Sequence, residues 1–173
     1  MKRIDKRRRL LYTLDMSEEK KAAAAKYHRK TMLAAADRLL VEHGYDGMNM
    51  NMLCKEAGYS KATVYVYFKS KDEIVESLAL DRLLLFEKEA ALVAKNDFTK
   101  EEKLAEIKKL LDEFVKEDGV YFYFICEHAR SGQLFDTVNR IVDSLEDVAP
   151  RDEILKAWYA YYGELKTKAM FTD

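Results

Sequence analysis

Residues Met50–Phe68, MNMLCKEAGYSKATVYVYF, decide the fold. They divide into a short helix, a turn marked by Gly58, and a second short helix opening after Ser60. Asn49 is placed to cap the first helix and Ser60 the second, each side chain accepting from a backbone amide that has no partner within its helix. From Ser60 to Lys71 there is no acidic residue, while Lys61, Thr63, Tyr65 and Tyr67 supply a cation and hydroxyls. Val64 and Phe68, four apart, point inward, and Lys61, Ala62 and Tyr65 share the opposite, wet arc, because burying a lysine is costly. That layout is a helix-turn-helix suited to the major groove of DNA.

Working outward, Met32, Ala35, Ala36 and Leu39 recur at helical spacing and predict a first helix from about His28 to His43, closed by Gly44. Upstream lies a polar leader, residues 1–27, with KRIDKRRR near its start and the helix-prone EEKKAAAAK near its end. Its first part reads as a flexible basic arm able to reach DNA, as a passive tail, or as sequence preceding a start at Met16.

The net charge of −1 conceals a split. Residues 1–71 hold 16 Lys/Arg against 8 Asp/Glu, or +8, and residues 72–173 hold 14 against 23, or −9. A basic half joined to an acidic one is expected when only one end meets a polyanion. No apolar run approaches a membrane span, so no membrane partner is expected. Cys54 and Cys126 form no metal spacing, and a reducing cytoplasm is the simplest compartment. No Ser/His/Asp set, metal cluster or phosphate-binding glycine loop points to an enzyme or to a cofactor.

Downstream, residues 72–173 read as helices throughout. The first, from Asp72 to about Lys95, places Ile74, Val75, Leu78, Leu84, Leu85 and Leu92 on an apolar side, and a second covers residues 101–117. The run Val120–Cys126 has the composition of a buried strand or a buried helix, and its helical surroundings favour helix. Two further helices carry Leu134–Leu145 and, after Pro150, Arg151 to about Phe171. Tyr121, Phe122, Tyr123, Phe124 and Phe135 are candidates to line a cavity for a small apolar or aromatic effector, with ordinary aromatic core as the alternative.

The stretch RKTMLAAADRLLVEHGYDG (Arg29–Gly47), followed by LCKEAGYSKATVYVYFKSKDE (Leu53–Glu73), resembles the DNA-binding domain of the TetR family of bacterial transcriptional regulators. The resemblance runs from about Arg29 to Asp72 and is densest at Ala57–Lys71. It implies an all-α protein with a polar arm at 1–27, a reading domain at 28–71 and an effector-binding and dimerisation domain at 72–173. It makes Ser60, Lys61 and Ala62 base readers, and Thr63, Tyr65, Tyr67, Lys71 and Arg29 phosphate binders. Asn49, also among the implied DNA-binding residues, stands where the family usually has threonine and keeps the capping chemistry.

The resemblance further implies a homodimer on a near-palindromic, double-stranded operator, assembled through the last two helices. There Val138, Val142, Leu145, Trp158, Tyr161, Tyr162 and Leu165 are the candidate interface. A cytoplasmic repressor released by a ligand is the expected function, and a ligand-independent adaptor that recruits a protein is the alternative.

Overall fold

The computed structural model describes residues 6–171, with side chains from 17 to 167. Among the described residues the chain is all-α: eight helices and no strand. They form two compact units, Met1–Lys69 and Ser70–Asp173.

The first unit holds α1 (Lys6–Gly47), α2 (Met50–Ala57) and α3 (Lys61–Tyr67). The apolar periodicity of α1 is buried as its spacing requires: Met32, Ala35, Ala36, Leu39 and Leu40 are all closed from solvent. Gly44 breaks the helix with φ +67°, a value that costs glycine little and other residues much. Asn49 then caps α2, its Oδ1 accepting from the amides of Asn51 and Met52 at 3.1 Å each. Gly58 ends α2 in the left-handed conformation. Leu53, Val64 and Phe68 are buried, so α2 and α3 each turn one apolar side inward.

The expected flexible arm is replaced by helix: α1 begins at Lys6 and runs unbroken into the domain. Residues 1–5 of that arm lie outside the described residues. The cause is local propensity, because the four consecutive alanines and flanking Lys and Glu of residues 18–26 are strong helix formers.

The second unit holds α4 (Lys71–Lys95), α5 (Lys100–Glu117), α6 (Gly119–His128), α7 (Gly132–Ser144) and α8 (Arg151–Phe171). Helix α4 is central and packs against α5, α6 and α7, while α8 closes over α5, α6 and α7. Thr99 opens α5 with a capping box, exchanging bonds with Glu102. Residues 120–126 are helical, inside α6, and Tyr121, Phe122, Phe124 and Ile125 are buried there. Trp158 of α8 seals this core: its ring lies 4.8 Å from Phe122 and 6.0 Å from Phe86, in an aromatic cluster that includes Phe114.

One part of the α4 pattern resolves differently from its sequence. Ile74, Val75 and Leu78 are buried as expected, yet Leu84, Leu85 and Leu92 are exposed. The inward residues are Leu83, Phe86 and Ala90, one step away around the helix. Because α4 is apolar on two sides, only its tertiary neighbours select which side is covered.

Candidate nucleic-acid interface

Helix α3 is short and held at both ends. At its start the Ser60 hydroxyl accepts from the Thr63 amide at 3.1 Å and shares a 2.8 Å bond with the Thr63 hydroxyl. At its end Arg29 of α1 donates to the Tyr67 carbonyl at 3.4 Å, and the guanidinium lies 4.3 Å over the Phe68 ring. In front of α3, Tyr59 shares a 2.7 Å hydrogen bond with His28 Nδ1, and their rings meet edge to face at 5.5 Å. His28 also sits 6.1 Å from the Tyr67 ring. Two adjacent residues of α1 thus fix the entrance and exit of α3.

What remains open on α3 is Lys61, Ala62, Tyr65 and Val66. Ala62 and Val66, one turn apart, stand opposite the buried Val64. Tyr65 is 44% exposed and Val66 79%. The Lys61 ammonium lies 6.0 Å from the Tyr65 ring, so cation and phenol occupy one flank of this face. Such a face offers a cation for guanine acceptors or phosphate, a hydroxyl for phosphate, and small apolar groups for thymine methyls.

Sequence reasoning passed over Val66, since it sought charges and hydroxyls. Its signal was present: an aliphatic residue four positions after Ala62, off the Val64–Phe68 stripe. Arg29 has a structural task that its sequence did not announce. Lys71 stands on the first turn of α4 and belongs to the second compact unit.

Residues 32–78 match the family described as bacterial regulatory proteins, tetR family. That match runs from Met32 in α1 through α2 and α3 into α4, about a quarter of the chain. An HTH-type transcriptional regulator of Haemophilus influenzae is 42% identical over 48 residues, which are 28% of this chain and 26% of that protein. A fatty acid metabolism regulator protein of Bacillus subtilis is 32% identical over 74 residues, 43% of this chain and 38% of that one. The chain thus matches well under half the length of either relative. Across the whole fold, the TetR family transcriptional regulator PfmR of Thermus thermophilus superposes with a TM-score of 0.57 at 18% identity, covering 82% of this chain and 86% of that one. At that identity the likeness is one of fold, an all-α chain of similar extent.

The second unit contains an apolar cavity of about 40 Å³ between α4, α5, α7 and α8, lined by Phe86, Ile107, Leu111, Ile141 and Ala157 among others. Lys108 and Glu153 are its charged lining residues. The aromatic set read from sequence lies elsewhere. Tyr121, Phe122 and Phe124 are packed in the core, Tyr123 lies tilted against Tyr162 at 5.6 Å, and Phe135 is exposed. Instead the cavity takes in Val138, Val142, Leu145 and Trp158, four residues read from sequence as TetR dimer contacts.

Val142, Leu145 and Trp158 are buried inside the chain, so the anticipated dimer face is corrected at those three positions. The reason is that α7 and α8 turn their apolar stripes toward α4, α5 and α6 of the same chain. Tyr161 bonds Asp112 and Tyr162 bonds Glu127, both within the chain, and Leu165 is half-buried. What α8 leaves outward includes Tyr159, Ala160 and Gly163.

Both cysteines are free thiols. Trp158 Nε1 donates to Cys126 Sγ at 3.1 Å, and burial pushes that thiol up to about 12. Among the described residues no helix is long and apolar enough to cross a membrane, and no group of three or more His, Cys, Asp or Glu is arranged for a metal ion.

Proposed function

We propose that this chain is a repressor that binds a near-palindromic operator as a homodimer and leaves it when a small apolar ligand enters the second unit. The observation that carries the DNA-binding part is the exposed face of α3. Lys61, Ala62, Tyr65 and Val66 are open to solvent on a helix whose two ends are fixed by Ser60, His28 and Arg29. Lys61 and Ala62 read base edges, with Ser60 beside them. Thr63, Tyr65 and Tyr67 offer hydroxyls to phosphates, and Lys71 and Arg29 add positive charge. A homodimer sets two such helices on half-sites about 34–36 Å apart, or wider with longer spacers.

Release is a population shift: a ligand that favours a conformer with misplaced reading helices lowers DNA affinity by that difference. The apolar cavity supports this reading, as does the fatty acid metabolism regulator among the chain's relatives. At about 40 Å³ the cavity is far smaller than the few hundred Å³ of a ligand pocket, so ligand entry requires α5, α7 and α8 to separate. A second reading, an adaptor that recruits a protein, draws on the exposed Leu84, Leu85 and Leu92 of α4.

The test is a gel-shift titration on DNA from upstream of the chain's own gene. Lys61→Ala should alter discrimination at one or two base pairs, by about 1–3 kcal/mol. Unchanged affinity and base preference in that variant would remove α3 as the reading element. Saturated and unsaturated long-chain fatty acids are then added. Release of the DNA supports the sensor, and retention at every chain length, with the thermal midpoint unmoved, favours the adaptor.

A further inference from the structure

We propose that the N-terminal third of α1 is a rigid outrigger that grips the phosphate backbone of duplex DNA beyond the base pairs under α3. The inference rests on the reading of α3 as the DNA-reading element.

Helix α1 continues upstream of the three-helix core from Tyr27 back to Lys6. Every side chain from Ser17 to Tyr27 is exposed, so no packing holds this stretch in place. It is a solvent-surrounded rod, built from the alanines of residues 22–25 and braced by a Glu18–Lys21 ion pair at 2.9 Å. At 1.5 Å per residue, residues 6–27 extend about 33 Å. That length matches about ten base pairs at 3.4 Å each.

The base of the rod places it. Tyr27 and His28 stand in ring contact, and His28 and Arg29 hold Tyr59 and Tyr67, the residues just before and at the end of the reading segment. A rod leaving from that point starts beside α3. Its far end carries Lys6, Arg7, Arg8 and Arg9 in succession with no acid among them. Consecutive cations occupy all sides of a helix, which suits a uniformly charged backbone better than a base edge. Asp15, Glu18 and Glu19 lie between this cluster and the core, so the positive end is set apart from the domain. A double helix carries phosphate charge without interruption over the distance the rod reaches.

Two random-sequence duplexes test this without knowledge of the operator: one spanning only the two reading heads, the other longer by about ten base pairs at each end. Affinity for the full chain is measured against salt by fluorescence anisotropy. For the wild type, the plot of log affinity against log salt should be steeper on the long duplex. In the variant Lys6→Ala/Arg7→Ala/Arg8→Ala/Arg9→Ala the slope on the long duplex should fall by about 0.9 per lost contact, or three to four units per bound chain. On the short duplex the two proteins should coincide. Ala24→Pro keeps every charge but kinks the rod, and it should lose the same excess slope. Ala24 is exposed, and an unchanged thermal midpoint in each variant confirms the fold.

Equal slopes for wild type and quadruple variant on the long duplex would overturn the inference. Full slope in Ala24→Pro would overturn the rigid placement on which it depends. An altered mass in light scattering with unaltered slopes would assign the segment to protein association and sink the proposal. If the wild type binds neither duplex, the reading of α3 fails with it. Salt-dependent binding that responds to Lys61→Ala and not to the quadruple change leaves α3 standing and removes the outrigger alone.

Discussion

His28 Nδ1 lies 2.7 Å from the Tyr59 hydroxyl, joining α1 to the turn that introduces α3. The bond is part-buried and spans 31 residues of sequence, so it is tertiary, not local. Tyr59→Phe removes only the hydroxyl and should cost about 0.5–1.5 kcal/mol of stability. Thermal unfolding followed by circular dichroism measures that loss. DNA affinity should fall as well, because the entrance to α3 loses its anchor. Affinity unchanged at full occupancy would show that the turn is held by its backbone alone.

Arg29 makes a sharper case, since two roles compete for one guanidinium. It bonds the Tyr67 carbonyl and covers Phe68. If its task is structural, Arg29→Ala should lower the thermal midpoint, with about 1–2 kcal/mol lost between the bond and the cation–π contact. If its task is phosphate binding, the midpoint should hold while the salt slope drops by about one unit. The geometry predicts the first outcome as the larger effect. Lys71→Ala is the contrasting variant: weaker binding to every sequence and a salt slope lower by about one unit.

Val66 has no visible work inside the fold. At 79% exposure, Val66→Ala should leave stability within about 0.5 kcal/mol of the wild type. On the operator, loss of its methyl groups should weaken binding to thymine-bearing half-sites more than to sites lacking thymine. Parallel titrations on such half-sites check this, and equal loss on both would return Val66 to the status of a solvated residue.

The reading head was legible because its determinants are local. Asn49, Ser60 and Gly58 announce caps through their own chemistry, and Val64 and Phe68 announce an inner face through spacing of four. The second unit was legible only as helices. Leu84, Leu85 and Leu92 looked like core until α5, α6 and α7 packed on the other side of α4. Trp158 looked like interface because its partner Phe122 lies far away in sequence. The cavity exists only where α4, α5, α7 and α8 meet, and no single stretch of residues carries its outline. The run at 121–124 drew attention by composition, although a run of aromatics fills space at least as readily as it encloses it.

The last prediction concerns α8 and alkaline pH. Tyr161 bonds the carboxylate of Asp112 on α5, and that bond, with some burial, pushes the phenol up to about 12. Because the folded value lies above the ordinary tyrosine value near 10, the contribution is fully present below pH 10 and is lost as pH rises through about 12. Phenolate absorbance should therefore show a late-titrating component in the native chain that Tyr161→Phe removes. The same variant should lower the neutral-pH midpoint only slightly, since the pair is largely solvent-exposed, and should flatten the fall across that alkaline window by the same amount. A titration curve identical to wild type would mean that the Tyr161–Asp112 contact does not persist in solution, and α8 would then be held by Trp158 and the aromatic cluster without it.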